Sequence, residues 1–344
     1  MKRTLGILLM LSISLFANAQ KKITVQDSVK TFYDALFSAL KKKYLYAKAV
    51  DWHVAEAGTR QNLVQYDNFA SSLSEIKPLF DKIGATHCNV YYKQNKYAAT
   101  GKKITNTAYS KQWANKMATK PDFEVKVLNE KYGYILMPNM VFFDLSAKNM
   151  HEKAQTLYDQ IYAIKARHKL EGWIVDLRFN SGGNEAPMIL ALYDFLGDNL
   201  LWGSLDVNKK QYGQSKLEKG KYLYNGKTVS HINPNGDLLD KMKVAVITGI
   251  ATASSGEITA LAFKGRANTV FIGESTYGAT TGNVPAPLPF DSIIALTTSY
   301  DCDRNGNYYE RIVPDITVSK GDNFDDVNLD KNILEAIKFI SKKC

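Results

Sequence analysis

Residues 243–263, KVAVITGIATASSGEITALAF, contain a strand, a turn and a helix in direct succession. Lys243 to Thr248 is an apolar run typical of a buried strand, and Ile258 to Phe263 is an apolar run that suits a helix. The turn between them, Ala253 to Glu257, puts Ser254 at the carboxyl edge of a sheet and directly before a helix. The stretch therefore predicts a βα unit that presents a serine hydroxyl at the edge of a sheet.

Two roles fit Ser254. The helix amides behind such a turn favour developing negative charge, so the position suits a nucleophile. The spacing Ser254-x-x-Glu257 is also typical of a capping box, in which the serine satisfies an amide of the first helical turn. Alone, these residues favour the cap, and the choice depends on the rest of the chain.

The sequence around this unit alternates between strand and helix patterns. Strands are predicted at Tyr132–Met137, Trp173–Leu177 and Val270–Gly273, and an amphipathic helix is predicted at Asn149–His168. Such alternation is typical of parallel βαβ units with right-handed crossovers. The fold class predicted from the residues is therefore α/β.

The chain before residue 123 has a different pattern. Apolar side chains recur at helical spacing over residues 26–46 and 69–83, and Thr86–Tyr92 predicts a strand. We therefore expect an N-terminal helical domain with a connector over residues 20–122 and an α/β core over residues 123–344.

The first residues have the pattern of a secretory signal. Lys2 and Arg3 precede the apolar run Leu5–Phe16, and Ala17-Asn18-Ala19 has the small-x-small form of a cleavage site. The apolar run is too short for a membrane span. We expect residues 1–19 to be removed and the mature chain to be exported to the periplasm or the exterior, without a membrane span.

Composition excludes several classes of function. The net charge of +10 comes from scattered basic residues without an arginine-rich patch, so nucleic acid is not expected as a partner. The three cysteines, Cys88, Cys302 and Cys344, are too few for a disulfide scaffold and match no zinc pattern. Export permits a Cys88–Cys302 disulfide, and free thiols fit the sequence equally well.

Three further segments accompany the serine turn. Residues 176–184, DLRFNSGGN, follow a buried strand, and their Gly-Gly turn lets backbone amides approach a ligand closely. A plain glycine turn fits this segment as well as an anion cradle does. Residues 273–282, GESTYGATTG, open from a strand end into a glycine-rich loop, and residues 309–316 read YERIVPDI.

In this order, the four segments resemble the family of carboxy-terminal processing (tail-specific) proteases and the tricorn protease core, over roughly residues 130 to 320. The resemblance implies a serine peptidase whose α/β core is a crotonase-like βαβ spiral. It implies Ser254 as the nucleophile, with oxyanion donors at the backbone of Gly182 or Gly183 and of Ser255. It also implies a peptide or unfolded protein segment as substrate, and no metal or organic cofactor.

One departure from that family bears on mechanism. The processing proteases pair their serine with a lysine just after the glycine of the Thr-x-Gly loop, where this chain has Ala279. Residues 83–88, IGATHC, resemble the segment that supplies a histidine in the tricorn branch. That resemblance implies His87 as general base, Thr86 as a relay and Glu310 as its acid. A surface role fits Glu310 as well, because its neighbours do not align cleanly with the family.

A second departure concerns substrates. The processing proteases usually carry a peptide-binding module of the PDZ type, whereas residues 95–122 are polar, lysine-rich and without periodicity, so tail specificity is not expected. Residues 200–240 form an insertion rich in Tyr, Lys and Gly, which fits a substrate-edge lid or a surface hairpin. Two other functions stay open: a non-catalytic protein that binds a peptide or an apolar ligand, as retinoid-binding relatives do, and an esterase or amidase.

Overall fold

The computed structural model describes residues 24–102 and 104–342, which form ten α-helices and fourteen strands. The expected leader, residues 1–19, and Cys344 lie outside the described residues. Within the described ranges, no helix is long and apolar enough to cross a membrane.

The helices are α1 (Val25–Lys43), α2 (Trp52–Leu63), α3 (Phe69–Ser72), α4 (Ile76–Lys82), α5 (Lys111–Ala118), α6 (Ala147–Arg167), α7 (Glu185–Ala191), α8 (Tyr193–Leu196), α9 (Ser255–Phe263) and α10 (Lys331–Ser341). The strands are β1 (Asn89–Tyr92), β2 (Asn95–Ala98), β3 (Glu124–Leu128), β4 (Tyr132–Leu136), β5 (Gly172–Asp176), β6 (Leu200–Leu205), β7 (Gln211–Glu218), β8 (Lys221–Tyr224), β9 (Lys227–His231), β10 (Val244–Thr248), β11 (Thr269–Gly273), β12 (Thr281–Leu288), β13 (Ser292–Asp303) and β14 (Ile316–Thr317).

A six-stranded sheet carries the serine turn. Its strand order is β14-β11-β10-β5-β4-β3, and every neighbouring pair is parallel except β4 with β3. Helix α6 connects β4 to β5, and α9 connects β10 to β11, as the alternating pattern predicts. The two central strands, β5 and β10, are buried along their whole length, as expected for strands covered on both faces. The predicted α/β class and the helical N-terminal region are confirmed.

A second, eight-stranded sheet joins the two parts of the chain. Its order is β2-β1-β13-β6-β7-β8-β9, and β12 also pairs with β13. Strand β1 runs antiparallel to β13 with Asn89 opposite Ala295, so this sheet contains strands from both sides of the boundary expected at residue 122. The 200–240 insertion supplies β6 to β9 of the same sheet.

Apolar packing fixes the N-terminal helices against this second sheet. Phe32 and Phe80 belong to a buried cluster that continues through Val90 of β1 to Ile294 and Leu296 of β13. The loop between α4 and β1 is therefore held against the core by packing on both of its sides.

Two local expectations differ from the structure. The strand expected at Thr86–Tyr92 begins only at Asn89, because the Thr86 amide donates to the Gly84 carbonyl at 2.9 Å and so closes a turn. The polar 95–122 segment, expected to be a connector, contains β2 and α5. Helix α5 docks through Trp113, whose indole donates to the Arg178 carbonyl at 3.0 Å, and through Gln112, whose side-chain amide donates to Asp325 at 2.8 Å. These partners are distant in the chain, so the segment itself does not reveal them.

The two cysteines within the described residues are free thiols. Cys88 and Cys302 are both buried, and the structure does not join them. The Cys88 thiol instead lies 3.4 Å from the hydroxyl of Thr297 on β13.

Candidate active site

Ser254 lies at the sharp turn between β10 and α9. Its backbone has φ of 53° and ψ of −121°, a conformation that costs a residue with a side chain about 1–3 kcal/mol. Neighbouring hydrogen bonds hold the turn: the Ala253 amide donates to the Asn180 carbonyl, and the Thr252 hydroxyl donates to the Leu177 carbonyl, both at 2.9 Å. The strain is therefore imposed by the strand end that precedes the Gly-Gly turn.

The buried carboxylate of Glu257 holds the serine turn to the 273–282 loop. It accepts hydrogen bonds from the amides of Ser254 at 3.0 Å, Gly278 at 2.9 Å and Ala279 at 2.7 Å, and from the Thr276 hydroxyl. Burial raises the pKa of Glu257, and the four donors oppose that shift by favouring the charged form. The capping box around Ser254 and Glu257 is thus formed, and the serine hydroxyl also faces a second residue.

That residue is His87, whose Nε2 lies 3.0 Å from the Ser254 Oγ. His87 occupies the loop between α4 and β1, where its backbone carbonyl accepts from the side-chain amides of Asn283 at 2.8 Å and Asn89 at 3.1 Å. Burial, with the positive charge of Lys96, lowers the pKa of His87 to about 4. The imidazole is therefore neutral at pH 7 and able to accept a proton.

Thr281 contacts the other ring nitrogen of the imidazole. Its Oγ1 lies 2.7 Å from the His87 Nδ1. For Nε2 to accept the serine proton, Nδ1 must carry the hydrogen and donate it to the Thr281 oxygen. The sequence analysis did not identify Thr281 as a site residue, although it belongs to the GESTYGATTG segment and lies two residues after Ala279.

The structure does not bring Thr86 or Glu310 to the imidazole. Both side chains are exposed, and Glu310 touches the site only through its backbone carbonyl, which accepts from the Thr280 hydroxyl at 3.2 Å. Among the described residues, the His87 ring nitrogens bond to two hydroxyl groups and to no carboxylate.

The Gly-Gly turn lies against the serine. Gly182 and Gly183 have φ of +111° and +118°, and a Cβ on Gly182 would come within 2.8 Å of the Ser254 Cβ. The Gly182 amide donates to the Asn180 side chain at 3.1 Å, whereas the hydrogen bonds between described residues leave the amides of Gly183 and Ser255 unused. The Ser255 hydroxyl donates to the Gly183 carbonyl at 2.6 Å and ties the two segments together. Of the expected oxyanion donors, Gly183 and Ser255 have free amides.

A buried ion network anchors the strand end that leads to this turn. The Arg178 guanidinium pairs with Asp176 at 2.6 Å and with Asp322 and Asp330 at 2.7 Å. Asp330 also accepts from the Asn332 amide at 2.8 Å, at the start of α10. The two aspartates near the end of the chain had no signal in the sequence, because only the fold brings them to the DLRFN segment.

The described side chains contain no group of three or more His, Cys, Asp or Glu residues arranged to hold a metal ion. The groups that meet at the serine turn are a hydroxyl, a neutral imidazole and two backbone amides. This set of groups suits attack on a carbonyl carbon followed by stabilisation of the oxyanion.

Comparison of the sequence with protein families gives one match over more than half of the chain. The model of "Peptidase family S41" matches residues 131–318. The nisin-resistance protein of Lactococcus lactis subsp. lactis is 35% identical over 153 residues, which cover 44% of this chain and 47% of that protein. The matched stretch thus spans about half the length of that relative.

Solved structures similar to this one extend over almost the whole chain. A lipoprotein from Streptococcus agalactiae has a TM-score of 0.67 at 21% identity, covering 98% of this chain and 99% of its own. A candidate peptidase from Parabacteroides merdae has a TM-score of 0.55 at 17% identity, and mature CPAF has 0.52 at 11%; each comparison covers 92% of this chain and 98% of the other. At these identities the likeness shows a shared fold.

Proposed function

Since this chain belongs to peptidase family S41, we propose that it is an exported serine peptidase that hydrolyses peptide bonds through an acyl-enzyme, with Ser254 as nucleophile and His87 as general base. One observation carries the proposal. The Ser254 Oγ, on a strained turn in front of a helix, lies 3.0 Å from the Nε2 of a histidine that is neutral at pH 7. A structural cap needs neither the strain nor the imidazole.

The first half-reaction forms the acyl-enzyme. The Ser254 Oγ attacks the carbonyl carbon while the His87 Nε2 takes the hydroxyl proton. The amides of Gly183 and Ser255 donate to the oxyanion, and each such donor is worth roughly 10²–10³ in kcat. When the C–N bond breaks, His87 returns the proton to the leaving amine. Water then attacks the ester with His87 again as base, and Ser254 regains its proton.

Thr281 takes the position that an acid has in a Ser-His-Asp triad. A hydroxyl oxygen holds the tautomer but stabilises the imidazolium less than a carboxylate does. The relay of Thr86 and Glu310 stays a prediction, and it requires the His87 loop or the 309–316 segment to move from the arrangement described. We propose Thr281 as the resting partner of the base.

Export and a peptide substrate are part of the same proposal. The signal pattern of residues 1–19 supports export, and so do relatives that are described as a lipoprotein and as a nisin-resistance protein. The family supports a peptide or an unfolded protein segment as substrate.

The test is labelling with a fluorophosphonate, which reacts only with an activated serine. We expect the full chain to be labelled, the label to disappear in Ser254→Ala and to fall about 10²-fold or more in His87→Ala. Ser181→Ala, which removes an exposed hydroxyl beside the Gly-Gly turn, is the matched control and retains the label. A folded wild type that neither takes the label nor cleaves a peptide mixture refutes the proposal and favours the binding protein. Labelling with hydrolysis of esters alone favours the esterase.

A further inference from the structure

Lys209 lies in the turn between β6 and β7 of the insertion, and its ammonium group contacts two tyrosine rings. Its Nζ is 2.9 Å from the ring centroid of Tyr300 and 3.3 Å from that of Tyr308. The two rings meet edge to face, with their centroids 4.9 Å apart and an angle of 66° between their planes. Lys209 forms no ion pair with a carboxylate among the described residues, so the two rings are the partners of its charge.

Hydrogen bonds within the turn fix the backbone of this lysine. The Lys209 amide donates to the Asp206 carbonyl at 3.0 Å, and the Asp206 amide donates to the Lys210 carbonyl at 2.9 Å. The Asp206 carboxylate also accepts from the amides of Asn208 at 2.8 Å and Lys210 at 2.9 Å. Because the turn already holds the backbone, less conformational freedom is lost when the Lys209 side chain settles on the rings.

Tyr300 is the strand partner of the threonine that contacts the base. It lies on β13 directly opposite Thr281 of β12 on one side and Leu205 of β6 on the other. Residues directly opposite each other in an antiparallel pair have Cβ atoms about 4.5–5.5 Å apart. The Asp301 amide adds a hydrogen bond to the Thr280 carbonyl at 3.0 Å. The position of Tyr300 therefore bears directly on the position of Thr281.

The end of β12 that carries Thr281 has few ladder contacts of its own. A register shift between Gly282 and Asn283 separates it from the rest of the pairing with β13, so only two residue pairs hold it. A bulge of this kind disrupts the ladder locally and lets the strand bend. Side-chain contacts on the partner strand then matter more, and Lys209 supplies them at Tyr300, the partner of the first residue of β12.

We propose that Lys209 is a positioning residue for the catalytic base. By binding the rings of Tyr300 and Tyr308, its ammonium group fixes the end of β12. That strand end keeps the Thr281 hydroxyl 2.7 Å from the His87 Nδ1. The inference rests on the proposed peptidase function, and it gives the inserted strands a supporting part in catalysis.

The test begins with the charge of the lysine. Lys209→Met keeps the aliphatic stem and removes the charge, whereas Lys209→Arg keeps a cation that stacks on aromatic rings. We expect Lys209→Met to lower kcat for a peptide and the rate of fluorophosphonate labelling by about three- to tenfold, with KM little changed, and Lys209→Arg to recover most of the rate. Lys210→Met is the matched control from the same turn and should keep the wild-type kcat, because its exposed side chain makes no contact with a ring or a charged group among the described residues.

A double-mutant cycle with Thr281 distinguishes positioning from a purely structural contact. If Lys209 acts through the Thr281 hydroxyl, Lys209→Met should change kcat by less than about twofold in a Thr281→Val background. A lysine that only stabilises the fold would lower the urea midpoint without changing kcat. A wild-type kcat in Lys209→Met, or the same loss of kcat in both backgrounds, overturns the proposal.

The nitrogen chemical shifts of the His87 ring give a readout that needs no turnover. We expect hydrogen on Nδ1 in the wild type at pH 7, and a larger share of the other tautomer in Lys209→Met. A folded wild type that neither takes the label nor cleaves a peptide refutes the peptidase, and the shifts then still decide whether Lys209 orients the imidazole: the same tautomer ratio in both proteins overturns that role. If Lys209→Met does not fold, Tyr308→Leu, which removes one of the two rings, replaces it in both measurements.

Discussion

Replacing Thr281 by valine tests whether a hydroxyl can orient the catalytic base. Valine keeps the shape of threonine and removes the oxygen that lies 2.7 Å from the His87 Nδ1. The ring then has a buried N–H without an acceptor, and the tautomer with hydrogen on Nε2 becomes competitive. In that tautomer Nε2 can no longer take the proton of Ser254.

The magnitude follows from the geometry. Leaving a buried donor unsatisfied costs about 1–3 kcal/mol, and each 1.4 kcal/mol is a factor of ten in an equilibrium between tautomers. We therefore expect Thr281→Val to lower kcat by about ten- to a hundredfold. KM should change little, because Thr281 contacts the base and not the oxyanion donors. Thr281→Ser restores the oxygen and should recover most of the rate.

The assay is steady-state hydrolysis of one peptide together with the rate of fluorophosphonate labelling. Thr280→Val is the matched control, because the neighbouring hydroxyl donates to the Tyr309 carbonyl at 2.6 Å and does not contact the imidazole. Its effect should appear in the urea midpoint more than in kcat. A Thr281→Val enzyme with wild-type kcat, or a Thr281→Ser enzyme as slow as Thr281→Val, would refute the argument.

Three other predictions concern titration, sterics and charge. The pKa of folded His87 is near 4, below its unfolded value of about 6.5, so fluorophosphonate labelling should persist at pH 5 and be lost toward pH 4. The free energy of unfolding should fall by at most about 3 kcal/mol as the pH falls from 6.5 to 4. Loss of labelling with a midpoint at pH 6.5 contradicts this. Gly182→Ala puts a Cβ against Ser254 at a φ of +111°, so labelling should be lost and the free energy of unfolding should fall by about 1–3 kcal/mol. A variant that is labelled and as stable as the wild type contradicts the geometry. Asp330→Asn removes one partner of the buried Arg178 and should lower the free energy of unfolding in urea by about 2–4 kcal/mol; an unchanged midpoint contradicts the network.

The parts of this site that are formed by residues close together in the chain could be predicted from the sequence. The βα unit around Ser254 and the glycine turn at 182–183 are local, so hydrophobic period and turn chemistry were enough to place them. The structure brings the His87 Nε2 to 3.0 Å from the Ser254 Oγ over a separation of 167 residues, and the roles of the two groups stay a prediction.

The partners that the sequence did not indicate are tertiary. Thr281 reaches His87 because β12 and β1 both pair with β13, and Asp322 and Asp330 reach Arg178 only after the chain end folds back. Asp301 looks in the sequence like any strand-end aspartate; its lack of partners appears only once burial is known. Pairing between distant strands leaves no periodic trace in a single sequence.

The two proposed catalytic groups, Ser254 and His87, adjoin strands of different sheets, and a short path of hydrogen bonds fixes the distance between them. Glu257 accepts from both Ser254 and Ala279, so the serine turn and the 273–282 loop share one carboxylate. Two residues later Thr281 contacts the His87 ring, and beyond a bulge between Gly282 and Asn283 the strand binds the His87 carbonyl. Bulges commonly re-aim side chains next to active sites, and here one strand end contacts both the ring and the backbone of the base. Loss of the Glu257 carboxylate should therefore misplace the base as well as the nucleophile.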